Sequence, residues 1–525
     1  MNKRLGTVVS GSLSKGLEVR LDGEASIEDV SVGSYVTIKG EKKYFFGMIS
    51  DVNLESSDPE LTHAIPEAGD PFISSILNGT AAYSTLKVNP HLVISGEAAA
   101  LLEGPQPVKT IPTHFSPVYL ASERDIEIVF GKEDKSKFFI GTPLDMETKI
   151  CLDLQEFVKR SNGVFGKSGT GKTFFTRLLL IGMLQKSRAA NLIFDLHSEY
   201  GWSGTSETGG AVKSLKQLFP QEVAVFTLDE ESSKRRGVKT DFTVRIGLDE
   251  IEPQDIAILK GILNMTDLAV EATYQLQQRY GQSWFSKALE LDEDEAKNLN
   301  IAASTLQSLK RGLNSLKRHP FLAPQAPESA VQRILSFLEQ GRSVVLEFGR
   351  YRSVDIYVLI ANLLSRRIYD RYREMSEEAE AGLRQKPTPL VITIEEAHQF
   401  LNPEVSSQTI FGTIAREMRK FNVTLLVIDQ RPSGIDEDVM SQLGTKIVFQ
   451  LDNERDIENV LAGTAGKSEL RTVLEKLGPR RQAIIFGHAV MMPIVIKVRE
   501  FGSKESYREL LPPYDTEKEI EDLWS

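Results

Sequence analysis

A lone cysteine, Cys151, among 525 residues excludes internal disulfides and any metal cluster built on several cysteines. Long apolar runs are also missing. A membrane-spanning helix needs about 20 mostly apolar residues, and the most apolar stretches, Leu178 to Leu184 and Ile356 to Leu364, are far shorter. The opening segment MNKRLGTVVSGSLSKG lacks the apolar run of a secretory signal. A cytoplasmic protein with no membrane attachment is the expectation. Positive charge is in deficit: 62 Lys and Arg against 73 Asp and Glu leave a net charge of −11. Bulk charge therefore does not draw nucleic acid, and any such contact needs a local basic surface, such as the lining of a ring-shaped channel. No GxSxG, no HExxH and no paired metal-ligand histidine spacing occurs, so serine- and zinc-hydrolase readings have no support. There is no internal repeat or low-complexity tract. With 41% hydrophobic and 26% charged residues the chain is of the folded globular class, and its length suggests about three domains at ~150 residues each.

What is present changes character along the chain. Residues 1–130 read mostly as strand. Leu17, Val19 and Leu21 alternate with Glu18, Arg20 and Asp22, and Val36 and Ile38 alternate with Thr37 and Lys39. Short alternating strands between glycine-containing turns predict a small β-barrel, with a loop over 55–75. From 131 to 500 strands alternate with helical segments. Candidate buried strands are 191–195, 222–227, 343–348, 389–394, 423–429, 446–451 and 482–487; several are continuous apolar runs, as a parallel sheet covered on both faces requires. This is an α/β domain. Residues 250–340 interrupt it with helices, where Leu306, Leu309, Leu313 and Leu316 form one apolar stripe. Lys310, Arg311, Lys317 and Arg318 lie off the stripe, on a solvated face or on one that meets DNA or another subunit. The run LDEDE at 291–295 marks a helix start or a loop. Residues 501–525 form a tail, either loose or an arm that packs on a neighbouring subunit.

The strongest motif is GKSGTGKT, Gly166 to Thr173, which fits G-x-x-x-x-G-K-[ST]. An apolar edge precedes it and the helical segment FFTRLLLIGML, beginning at Phe174, follows. Gly166, Gly169 and Gly171 let the backbone wrap so that successive N–H groups, including those of Lys167, Ser168 and Thr170, point at phosphate oxygens. The helix N-terminus adds positive potential. Lys172 can bridge the β- and γ-phosphates, and the Thr173 hydroxyl can ligate magnesium. A nucleoside triphosphate with Mg2+ is the expected ligand pair.

Hydrolysis needs more than a phosphate cradle. In PLVITIEEAHQF an apolar strand ends in Glu395 and Glu396. At the carboxyl end of a parallel strand both reach the crevice where ligands sit. Glu395 is placed to hold magnesium, directly or through water, although Asp is commoner there. Glu396 is placed to orient and polarise the attacking water. An acidic helix N-terminus is the competing reading. His398 reads as structural or as a group that couples nucleotide state to a neighbouring loop. Gln430, at the tip of VTLLVIDQ, can hydrogen-bond both the γ-phosphate and the lytic water. Arg416 and Arg419 share a helix face and are candidates to reach a neighbour's nucleotide; Arg480 and Arg481 form a second pair. Asp195, ending NLIFD, supports the magnesium shell or the phosphate loop, with a structural cap as the competing reading. Loops 202–215 and 402–411 are candidate channel loops, with Lys213 and Lys216 either DNA contacts or ordinary surface lysines.

In this order, GKSGTGKT, FDLHSEYG, ITIEEAH, AREMRKF and DQRPSGIDEDVMSQLGTKIVF resemble the HerA family of ATPases, within the HerA/FtsK group of ring translocases. The front segment is similar to that family's HAS barrel. The resemblance implies a RecA-like P-loop ATPase core with an N-terminal small β-barrel and a helical insertion. It also implies a homohexameric ring around duplex DNA, ATP between subunits, arginines reaching across, and DNA translocase or helicase activity. The implied partner is the nuclease NurA in DNA end processing and repair, or a defence effector in related bacterial members. A second expectation, from another class, is an ATP-regulated ring scaffold that assembles and activates a nuclease or effector.

Overall fold

In the computed structural model, residues 3–23, 25–57, 82–95, 104–187, 189–205, 211–417 and 420–510 are described. Most of the 55–75 loop, the tail beyond residue 510 and Arg419 lie outside them. The chain divides into two compact units that interleave along the sequence. One comprises Met1–Phe157, Phe165–Lys172 and Gly444–Arg499; the other comprises Val158–Val164, Thr173–Leu443 and Glu500–Ser525.

The first unit begins with β1 (Arg4–Ser12), β2 (Gly16–Leu21), β3 (Tyr35–Lys39), β4 (Lys43–Ser56), β5 (Ala82–Ser95) and β6 (Pro117–Leu120). They pair antiparallel in the order β2-β1-β6-β3-β4-β5, and β5 returns to β2 with Leu17 opposite Val88 and Val19 opposite Leu86. That return closes the sheet into a barrel and removes its edges. The period-two pattern sets the interior: Leu17, Val19, Val36 and Ile38 are buried in one cluster with Phe45 and Leu86, while Glu18 and Arg20 face outward. After the barrel come α1 (Glu123–Phe130), β7 (Lys137–Thr142) and β8 (Ile150–Asp153).

The second unit is the parallel α/β layer. Its main elements are β9 (Asn162–Phe165), α2 (Lys172–Lys186), β10 (Ala190–Asp195), β11 (Val223–Thr227), α3 (Asp267–Tyr280), α4 (Ala303–Lys317), β12 (Ser343–Glu347), α5 (Val354–Glu380), β13 (Leu390–Glu395), α6 (Ile410–Glu417) and β14 (Val423–Asp429). The strand order is β11-β12-β10-β13-β14-β9, with parallel pairing from β11 through β14. Every residue of β10, β12, β13 and β14 is buried, which is why these strands read as apolar runs rather than alternations. The helical insertion contains α3 and α4, and the α4 stripe Leu306, Leu309, Leu313 and Leu316 is buried. Off that stripe, the Arg311 guanidinium donates to the Asn264 carbonyl at 2.7 Å. Asp292 in LDEDE caps a short helix, Glu293–Asn298, through its side chain.

The first unit ends with β15 (Thr445–Phe449), α7 (Glu454–Val460), α8 (Lys467–Glu475), β16 (Gln482–Gly487) and β17 (Ile494–Val498). The sequence-based strands thus fall within two residues of their observed positions. Direction is where expectation and structure part: β15, β16, β17, β7 and β8 run as an antiparallel series. Burial on both faces makes an apolar run whichever way the neighbour points, and the short 488–493 connection between β16 and β17 makes a hairpin. Tyr35 of the barrel ties into this series, its hydroxyl accepting the Val495 N–H at 2.7 Å.

Lys446 of β15 is buried, donating to the carbonyls of Val460 (2.9 Å) and Ala462 (2.7 Å) at the end of α7. Burial, with the nearby Lys467 charge adding, brings its ammonium down to about 7. Between pH 7 and the ordinary lysine range the unfolded chain therefore binds more protons than the folded one, so stability rises with pH across that window. Lys446→Met removes the titration. Its melting temperature relative to the unsubstituted protein is expected to be several degrees higher at pH 7 than at pH 10; equal differences at both would show that Lys446 titrates normally.

Candidate active site

The phosphate loop joins β9 to α2 in the manner the motif predicts. Gly166, Gly169 and Gly171 all take positive φ, at 151°, 79° and 105°. Gly166 is required on a second ground: a Cβ there would lie 2.5 Å from the Phe449 Cβ. The loop is braced from the 444–499 segment. Lys167 donates its N–H to the Gln450 carbonyl (3.1 Å) and its ammonium to Asp452 (3.0 Å). Arg481, itself at φ 56°, donates its N–H to the Thr170 carbonyl (3.3 Å). Within the loop the Thr170 hydroxyl and the Lys172 ammonium both donate to the Lys167 carbonyl at 2.8 Å. Ser168 and Gly169 are exposed, and open space surrounds Gly169. Thr173 and Phe174 stand half-buried on the first turn of α2. A backbone ring of this shape, with a buried ammonium folded over it, fits a triphosphate.

In the second unit, four neighbouring parallel strands end in acids: Glu347 on β12, Asp195 on β10, Glu395 on β13 and Asp429 on β14. All four are buried. Register aligns Asp195 with Glu347 and Glu395 with Ile428. Asp195 accepts three backbone N–H groups, from Glu199 (2.7 Å), Tyr200 (2.8 Å) and Gly201 (3.0 Å), so both its oxygens hold the loop that follows β10. Glu395 is different. One oxygen accepts the Tyr200 hydroxyl at 2.9 Å, and the other is buried with no hydrogen-bond partner among the described residues. Burial raises its carboxyl well above the usual range, with the Asp195 and Glu199 charges adding. Such an oxygen fits a cation or a cation-bound water, so Glu395 suits magnesium, and Asp195 is already engaged as a cap.

Glu396 takes φ 48°, left-handed for a residue with a side chain. Gln430 donates to Glu396 Oε1 at 3.0 Å, bringing together two residues picked separately from sequence. His398 packs against the next strand end: its N–H donates to Asp429 at 2.7 Å and its Nδ1 lies 3.0 Å from the same carboxylate and 3.7 Å from Glu396. The hydrogen bond to Asp429 raises the imidazole above its ordinary range. Arg416 turns onto its own backbone, donating to the Gly412 (3.0 Å) and Ser406 (3.2 Å) carbonyls. Of the channel-loop lysines, Lys216 is held by the Val223 carbonyl (2.8 Å) and Asp241 (3.0 Å), and Lys213 donates its N–H to the Tyr507 hydroxyl (2.9 Å). Residues 206–210 of loop 202–215 lie outside the described residues; on either side of them, Gly204 and Thr205 pair with Val212 and Ala211.

Sequence reasoning passed over Glu347, Asp429, Tyr200 and Tyr357. Glu347 and Asp429 carried the same signal as Glu395, an acid closing an apolar strand. Tyr200 lay within FDLHSEYG without a role. Tyr357 sits inside the apolar run of α5, where nothing separates it from core.

Among the described residues no helix is long and apolar enough to cross a membrane. A family model for the helicase HerA central domain matches residues 138–368, and one for the HAS barrel domain matches residues 5–70. The DNA double-strand break repair helicase HerA of Sulfurisphaera tokodaii is 24% identical over 95% of this chain and 94% of its own length. The probable DNA double-strand break repair helicase HerA of Methanocaldococcus jannaschii is 35% identical over a shorter stretch, 22% of this chain and 23% of its own. Among solved structures, VirB4 of Thermoanaerobacter pseudethanolicus superposes with a TM-score of 0.49 at 13% identity, covering 72% of this chain and all of that one. The barrel and the central domain are both matched and a relative aligns nearly end to end, so this chain is similar to the HerA helicases along most of its length.

Proposed function

We propose that the protein is an ATP-driven hexameric DNA translocase or helicase that works with a nuclease in DNA end processing. The observation that carries the hydrolytic part is the left-handed Glu396, hydrogen-bonded to Gln430 and following Glu395, one oxygen of which has no hydrogen-bond partner among the described residues. The loop Gly166–Thr173 binds the triphosphate, with Lys172 countering its charge. Magnesium, held by Thr173 and Glu395, would supply Lewis-acid stabilisation of the leaving oxygens. Glu396 accepts a proton from the attacking water as it orients it, and Gln430 reads whether the γ-phosphate is present. Arg416 or Arg419 serves a neighbouring subunit's nucleotide. The DNA part rests on the named relatives, double-strand break repair helicases.

The net charge of −11 favours keeping a second reading. In it the ring is an ATP-regulated scaffold that activates a nuclease or a defence effector. ATPase rate with and without linear duplex DNA, together with triplex displacement, separates the two. A rise of about tenfold or more with DNA and displacement of the third strand are expected. A DNA-independent rate with no displacement would favour the scaffold.

A further inference from the structure

The loop 196–201 is built with more constraint than a connection needs. Asp195 accepts three of its N–H groups. Arg177, buried on α2, donates to the Glu199 carbonyl. Gly201 passes so close to Glu347 that a Cβ there would lie 2.5 Å from its Oε1. Ser198 turns the chain at φ 60°. The outcome is one placed group: Tyr200, fully buried, with its hydroxyl 2.9 Å from Glu395 Oε1. A second buried tyrosine reaches the same residue from α5. The Tyr357 hydroxyl donates to the Glu395 carbonyl (2.9 Å) and accepts the Glu395 N–H (3.2 Å), while its ring is wedged edge-on by Phe348 and Phe400.

Phenylalanine would fill either space. The hydroxyls are what is specific, since a buried phenol without a partner costs free energy. One fixes the Glu395 carboxylate and the other fixes its peptide. The next residue is Glu396, in a conformation that persists only where its surroundings over-determine it. We propose that Tyr200 and Tyr357 are positioning residues for hydrolysis, clamping Glu395 so that Glu396 is held in its left-handed conformation facing Gln430. This rests on the hydrolytic role assigned above to Glu396, and it links the phosphate-loop helix to that residue through Arg177, the Glu199 carbonyl and Tyr200.

The test is Tyr200→Phe, read by steady-state ATPase, by affinity for a non-hydrolysable ATP analogue and by thermal melting. A fall in kcat of about tenfold or more is expected, with analogue affinity within twofold. Because Tyr200 acts through Glu395, adding Tyr200→Phe to Glu395→Gln should lower kcat by no more than about twofold further. Tyr357→Phe should show the same split between kcat and affinity and serves if the first variant does not fold. If the unsubstituted protein does not hydrolyse ATP, the proposed function itself fails. If it does, and both Phe variants keep kcat within twofold, or lose analogue binding and melting temperature together, the positioning role is overturned and the hydrolytic assignment stands.

Discussion

Lys172→Ala is expected to reduce ATPase activity by a factor on the order of 10³ or more and to weaken nucleotide affinity as well. The ammonium is buried and donates to the Lys167 carbonyl at 2.8 Å, so it is held over the loop. A charge held there stabilises the triphosphate in the ground state and the charge that develops during transfer, and removing one such contact typically costs 10²–10³-fold in rate alone. Stability should change little, because the substitution removes a buried charge along with its hydrogen bond to the Lys167 carbonyl. Lys172→Arg should not rescue it. The guanidinium is a wide planar fork, whereas the site holds a compact ammonium beside Thr170. Near-normal turnover in Lys172→Ala would remove the phosphate-loop assignment, whereas lost turnover with an unchanged melting curve would support it.

How much of this was legible beforehand differs by level. The strands were readable because burial on both faces forces continuous apolar runs. The phosphate loop was readable because its motif fixes Gly166 and Gly171, both at positive φ, at a set spacing before Lys172. Barrel closure through β2 and β5 was not, since their partners lie about 70 residues apart and alternation says nothing about which strand pairs with which. The site was legible at its polar tips, Glu395, Glu396 and Gln430, which stand at strand ends. Its supports were not. Tyr357 is spaced like a core residue of α5, and only the fold brings its hydroxyl to the Glu395 peptide. Asp195 shows the same limit: a strand-end acid is compatible with a metal ligand or a cap, and the three N–H groups that occupy it come from loop geometry.

Glu396→Gln is expected to bind ATP nearly as tightly as the unsubstituted protein and to hydrolyse it 10²–10⁴-fold more slowly, the range a positioned general base supplies. The amide keeps the size of the side chain and can still meet Gln430 after a flip, so the arrest is chemical rather than steric. Single-turnover measurement should find unhydrolysed ATP on the protein. Glu396→Gly is the sharper companion. At φ 48° a side chain costs on the order of 1 kcal/mol that glycine avoids, offset in part by the greater freedom glycine gives the unfolded chain. Glu396→Gly should therefore melt at or above the original temperature while losing hydrolysis. A residue kept there for packing or capping would behave the other way, losing stability while activity survived. Rapid turnover in both variants would move the water-orienting role to another acid at the strand ends, and Asp429, already paired with His398, would be the first to substitute.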